Sequence, residues 1–329
     1  MRVVAALDKF RGTVTAPEAV AAVAEGVRLA GGTCDGAPVG DGGEGTLDAF
    51  GGPNRHNIVM GPLGDPVDAG WRMHHGTAII EMALASGLTL VGGKENNDPI
   101  AATTHGTGEL IAAALDAGAK RILVGLGGSA TTDGGLGAQR AIFPLHRLRG
   151  VELRVACDVR TLFVDAAPVF GPQKGASAAQ VELLRRRLER LAQVYIEQFG
   201  IDVRAVEGAG AAGGLAGGLV AVGGKLVPGF ELVADELQLA ERMERADLVI
   251  TGEGFLDAQS FEGKVVGGVA DMAASLGVPV LAIAGQVDPD VRDRINHISL
   301  LNTFGEARAF NDTAACITEA VAAYLATLS

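Results

Sequence analysis

Aromatic residues are scarce, only 4% of the 329, which argues against base-stacking platforms for single-stranded nucleic acid. No basic run occurs and the net charge is −12, so no nucleic-acid partner is expected. Lysine is rare: Lys9, Lys94, Lys120, Lys174, Lys225 and Lys264 are the only six among 27 cationic side chains. The three cysteines, Cys34, Cys157 and Cys316, have no CxxC spacing, which argues against a disulfide framework and for a reducing, cytoplasmic setting. The six histidines show neither HxxxH nor HExxH spacing, so no histidine metal site is expected. No apolar stretch free of polar and glycine breaks reaches the ~18 residues of a membrane span. The opening MRVVAALDKF is too short and too soon charged for a signal peptide.

What the chain has in excess is glycine, 48 of its residues. The glycines cluster between apolar runs, where loops turn sharply or let backbone amides approach a ligand. At 48% hydrophobic and 20% charged the composition is that of a globular enzyme, and the length exceeds a single core. Residues 1–7 form a β-branched apolar run typical of a buried parallel strand. Thr15-Ala16-Pro17-Glu18 then reads as a helix N-cap with proline just inside, opening a helix to about residue 29. Residues 37–40 read as a second strand. The texture changes near residue 52: short strands at 56–59, 67–71 and 77–81, separated by tight turns, suggest an antiparallel meander. Strands at 121–126 and 151–159 and helices at 107–117 and 177–198 follow. From residue 233 helix and strand alternate again: helix 233–246, strand 248–251, helix 264–276, strands 278–284 and 298–301, helix 313–328. The expected fold class is α/β. A discontinuous Rossmann-like doubly wound domain, residues 1–52 and 231–329, carries an inserted glycine-rich α/β domain, residues 53–230.

Two nucleotide signatures can be weighed directly. Gly208-Ala209-Gly210-Ala211-Ala212-Gly213 matches GxGxxG by letter, which would support an NAD-dependent hydroxy-acid oxidoreductase. It lies two-thirds along the chain in a glycine- and alanine-rich background where the pattern arises easily. Glu262-Gly263-Lys264-Val265 is the nearest approach to a Walker A loop, but it lacks the upstream glycine and the Ser/Thr that would hold Mg²⁺. The carboxylates say more. Asp8, Asp41, Glu44, Asp133, Asp158, Glu253 and Asp257 all fall at or just beyond predicted strand ends in glycine-rich loops. One such residue is usually a turn or cap group; seven, with Lys9, Arg11, Lys174 and Lys264 nearby in sequence, supply what phosphoryl transfer requires. The same inventory would serve a metal-dependent phosphatase or a sugar-acid lyase.

Nearly end to end, the chain resembles the type I glycerate kinase family. The likeness is carried by Asp8-Lys9-Phe10-Arg11-Gly12, Pro38-Val39-Gly40-Asp41-Gly42-Gly43-Glu44-Gly45-Thr46, Glu81-Met82-Ala83-Leu84-Ala85-Ser86-Gly87-Leu88 and Gly106-Thr107-Gly108-Glu109-Leu110. It continues through the 127–135 loop, Ala156-Cys157-Asp158-Val159, Val169-Phe170-Gly171-Pro172-Gln173-Lys174-Gly175-Ala176, the 208–214 segment and Asp247-Leu248-Val249-Ile250-Thr251-Gly252-Glu253-Gly254. The resemblance implies ATP and Mg²⁺ as cofactors and D-glycerate as small-molecule acceptor, with 2-phosphoglycerate favoured over 3-phosphoglycerate. Arg11 or Lys9 would then pair with the glycerate carboxylate, within a substrate loop that includes Asp41, Gly42, Gly43 and Glu44. Asp158 or Asp8 would deprotonate the hydroxyl. The Gly127, Gly128 and Ser129 amides would cradle phosphate, Lys174 and Lys264 would neutralise the transferred group, and Glu253 and Asp133 would hold Mg²⁺ or anchor loops. Three departures stand out. Lys9 and Arg11 replace the family's usual serine and lysine, Arg160-Thr161-Leu162 replaces Asn-Pro-Leu, and the segment 137–151 is shorter. A non-catalytic ligand-binding regulator on the same scaffold is the other reading; a homodimer is among the possible assemblies.

Overall fold

A computed structural model describes residues 1–328. Its strands are β1 Arg2–Leu7, β2 Thr33–Gly36, β3 Arg55–Met60, β4 Pro66–His74, β5 Thr77–Glu81, β6 Arg121–Gly125, β7 Glu152–Ala156, β8 Lys225–Val227, β9 Leu248–Leu256, β10 Val280–Val287 and β11 His297–Ser299. The chain forms two compact units, Met1–Asp41 with Asp48–Gly51 and Phe230–Ser329, and Gly42–Leu47 with Gly52–Gly229.

In the first unit a five-stranded sheet runs in the order β11-β10-β9-β1-β2, every pair parallel. Strands of this kind are buried on both faces and therefore read as continuous apolar runs; Val3 through Leu7 are all at 0% exposure. Counting only this unit's strands, the order is 2-1-3-4-5, the doubly wound pattern whose direction reverses beside the first strand. The helix Ala16–Leu29 begins where the sequence places it. The Thr15 hydroxyl accepts from the Glu18 amide while the Glu18 carboxylate accepts from the Thr15 amide, a reciprocal cap that satisfies otherwise orphaned donors. Thr15→Ala is therefore expected to cost about 1 kcal/mol. The loss should show as a lower urea midpoint at unchanged slope; an unmoved midpoint would mean the cap frays in solution.

In the second unit the order is β3-β4-β5-β6-β7-β8. The first three strands form the antiparallel meander, and β5 to β8 are parallel. Trp71, Ile80, Leu110 and Ile122 belong to its core.

Several boundaries differ from the sequence expectation. The second strand is Thr33–Gly36, not 37–40, although the Ala37 and Val39 amides still bond the Ala5 and Leu7 carbonyls. Strand β9 continues through Gly252-Glu253-Gly254 to Leu256, because β10 pairs with it as far as Val287; glycines that read as a loop are held extended by a neighbour. The helix expected over 233–246 is two, Gly229–Glu236 and Leu239–Met243, broken at Gln238 with φ 52°. The GxGxxG segment does not follow a strand. It is preceded by the short helical turn Val203–Ala205 and itself enters the turn Ala211–Gly214. A Cβ at Gly213 would lie 1.9 Å from the Thr131 carbonyl oxygen, so close backbone packing demands that glycine, and the dinucleotide reading falls.

Candidate active site

Ligands of doubly wound sheets bind beyond the carboxyl ends of the strands, where the order reverses. Here that point lies between β1 and β9, and Leu7 and Gly252 are register partners there. The next residue on each strand is an acid, Asp8 and Glu253, and the Asp8 amide donates to the Gly252 carbonyl at 2.9 Å. A cavity of about 420 Å³ opens there, and its lining includes Asp8, Lys9, Arg11, Asp41, Glu253 and Lys264. With Asp257, which lines it too, seven of the residues singled out from sequence thus meet in one unit, in a volume suited to a small ligand.

Burial raises the Asp8 carboxyl to about 6, and the Asp41 charge adds to the rise; the Lys9 amide and the Lys9 and Arg11 charges oppose it. The Lys9 amide donates to Asp8 Oδ1 at 2.7 Å, which fixes the carboxylate's orientation. Burial likewise pushes Glu253 up to about 7, with Asp8 and Asp257 adding and Ser260 and Lys264 opposing. Its Oε1 is buried without a hydrogen-bond partner. Two carboxyls pushed upward by desolvation and mutual repulsion, at a strand end and beside cations, are poised for proton transfer or cation binding near neutral pH. Asp257 caps the next turn through the Ser260 amide, and Lys264 opens the helix Val265–Ser275.

The raised acids carry a stability consequence. Between the unfolded and folded values, pH 4.5 and about 7 for Glu253, the folded state holds a proton that the unfolded state has released. Folding stability therefore falls as pH rises through that window. Glu253→Gln is expected to stabilise the protein at pH 8 by on the order of 2 kcal/mol and to leave it nearly unchanged at pH 4. Urea unfolding at both pH values reads the difference; equal effects at the two would contradict a buried titrating acid.

The remaining candidates lie in the second unit. Gly42 has φ +76°, and a Cβ there would lie 2.3 Å from that of Ala156, so the loop of Gly42, Gly43 and Glu44 is pressed onto the end of β7. Gly127 packs against the Gly43 and Glu44 backbone. Gly128, Ser129, Gln173 and Lys174 are among the residues lining a cavity of about 360 Å³.

Three of the expected residues have backbone partners far away in the chain. Lys174 is only 2% exposed, and its Nζ donates to the Thr131 carbonyl at 2.6 Å. Burial pushes its pKa down to about 7, so it serves to hold the 127–135 loop rather than as a free cation. The Asp133 carboxylate accepts from the Thr103 and Thr104 hydroxyls and from the Thr104, Gly135 and Gly137 amides; these bonds suit loop anchoring, one of the two roles expected of it. Asp158 Oδ1 accepts from the Gly229 amide at 2.7 Å, which suits positioning more than proton abstraction. The sequence could not reveal these partners, which lie 43, 29 and 71 positions away. Sequence reading also missed Phe255, Gln286 and Phe310 as cavity-lining residues; the first two lie on β9 and β10 beyond the strand ends expected at 251 and 284.

Among the described residues no group of three or more His, Cys, Asp or Glu side chains forms a preassembled metal cage. Magnesium in nucleotide sites is commonly carried by one or two carboxylates together with substrate phosphates, and the partnerless Glu253 oxygen beside Asp8 offers hard oxygen donors of that kind. No helix among them is long and apolar enough to cross a membrane.

Comparison with known proteins places this geometry in context. The model of the glycerate kinase family matches residues 3–143 and 144–328. The chain is 40% identical to the Glycerate 2-kinase of Escherichia coli K12 over 331 positions, covering 88% of this chain and 87% of that one. It is also 40% identical to the Glycerate kinase of Bacillus subtilis 168, over 88% and 86% of the two chains. A solved structure from Salmonella typhimurium LT2, provisionally described as glycerate kinase 2, superposes with a TM-score of 0.87 at 34% identity and covers 100% of this chain and 98% of that one.

Proposed function

The chain belongs to the glycerate kinase family, and on that premise we propose that it transfers the γ-phosphoryl group of ATP to a hydroxyl of D-glycerate, giving 2-phosphoglycerate. The observation that carries the reading is the Asp8 carboxylate, at the switch point and raised to about 6 among Lys9 and Arg11. A general base works best with a pKa near the operating pH. Arg11 or Lys9 holds the glycerate carboxylate, the bidentate guanidinium being the better match to two oxygens. Asp8 takes the hydroxyl proton as the substrate oxygen bonds to the γ-phosphorus; the bond from that phosphorus to the β,γ-bridging oxygen breaks and ADP leaves. Lys264 offsets charge on the transferring group. Glu253, with Asp41, fits Mg²⁺, which when bound screens the phosphate charges. In the second unit the Gly127, Gly128 and Ser129 amides offer a phosphate cradle, and Gly42, Gly43 and Glu44 a substrate loop. The free thiols of Cys34, Cys157 and Cys316 support a cytoplasmic setting.

The test is ADP release from ATP that depends on both D-glycerate and Mg²⁺, with the product's regiochemistry read by phosphorus NMR. Purified protein that bound ATP and glycerate yet released no ADP would overturn the kinase reading in favour of a ligand-binding regulator. A 3-phosphoglycerate product would correct the regiochemistry alone.

A further inference from the structure

The cavity of the first unit holds more than charge. Beside its acids and cations it is lined by Phe255, Leu301, Ala309 and Phe310. Phe255 is 46% exposed and Phe310 60%. Neither ring stacks on another aromatic ring or lies under a cation among the described residues. Phe255 stands two residues beyond Glu253 on β9, and alternation along a strand puts both side chains on one face, about 7 Å apart along the chain. Its register partner on β10 is Gln286, which also lines the cavity. Phe310 comes from the helix Glu306–Asn311, which follows β11 in sequence.

Glycerate cannot account for these rings. It has three carbons, each bearing oxygen, and offers no apolar face. Of the two reactants in the proposed reaction, only ATP carries a flat apolar surface, its base. We infer that Phe255 and Phe310 form the platform on which the nucleobase stacks, with the Gln286 and Gln259 amides available to its polar edge and the cations of the same cavity serving the phosphates. The platform rests on the ATP-dependent reading above and adds to it where the base sits.

Three proteins decide it: the parent, Phe255→Ala and the double variant with Phe310→Ala. Each is titrated with ADP and, as a probe without a base, with inorganic tripolyphosphate. Base–aromatic stacking contributes enough that removing both rings is expected to weaken ADP binding about tenfold or more, with tripolyphosphate affinity held within twofold. In turnover the KM for ATP should rise by a similar factor while the KM for glycerate stays put. Because both rings are solvent-exposed, the melting temperature should not move and so checks that the fold survives. ADP affinity within twofold of the parent in the double variant, or equal losses for ADP and tripolyphosphate, would overturn the platform. A parent that binds ADP but makes no phosphoglycerate defeats the kinase reading instead, and the ADP titration still decides the platform.

Discussion

Replacing Asp8 with asparagine is expected to lower kcat for glycerate phosphorylation by about 10²–10⁴-fold, the range over which a positioned general base contributes, while the protein stays folded. The amide oxygen of asparagine can still accept from the Lys9 backbone N–H that orients Asp8, so the loop should hold its shape. Desolvation dominates the rise of Asp8 to about 6. The folded state therefore retains a proton between pH 3.8 and about 6 that the unfolded chain gives up, and ionising Asp8 costs stability as pH rises through that window. The variant should then be more stable than the parent at pH 8 though nearly inactive. Gain of stability with loss of activity is the mark of a site strained for function. The parent's kcat/KM should fall on the acid side, with a limb near pH 6 that the variant lacks. Turnover within threefold of the parent would remove Asp8 as base and direct attention to Glu253.

Asp133→Ala should have the largest effect on stability. Five donors converge on this carboxylate, and the Thr104 hydroxyl that donates to it is itself the acceptor for the Ala138 amide. Thr104 is at 0% exposure, so water cannot readily replace the lost oxygens. Leaving buried donors unsatisfied costs about 1–3 kcal/mol each. Even with partial relaxation the loss should reach ~4 kcal/mol, a large part of the 5–15 kcal/mol that holds a typical protein and roughly 10 °C in Tm. Asp133→Asn keeps one acceptor oxygen and should fall between. These variants also separate two roles proposed for the residue. A metal ligand replaced by alanine would leave Tm of the metal-free protein nearly intact and raise the Mg²⁺ requirement; an anchor does the reverse.

Much of the molecule is written locally and could be read without coordinates. The first strand, the Thr15–Glu18 cap, the antiparallel meander and the long helix after Ser177 depend on neighbours within four positions or on alternation along one segment, and the structure has them. The acids at strand ends were visible for the same reason: apolar runs stop abruptly at Asp8 and before Glu253. Long-range pairing was not visible. Strand β9 extends through two glycines because β10 supplies hydrogen bonds along it. The sequence showed Lys174, Asp133 and Asp158 only as charges in glycine-rich loops; their hydrogen bonds to backbone groups far away in the chain come from folding. A side chain's type sets what it can bind, and the linear order of apolar, acidic and glycine residues set the α/β class and the acidic strand ends of this protein. Which acid remains available for chemistry, and which is spent holding a loop, depends on burial and on donors brought together by folding, because desolvation and hydrogen bonding act through space and leave no mark on neighbouring letters.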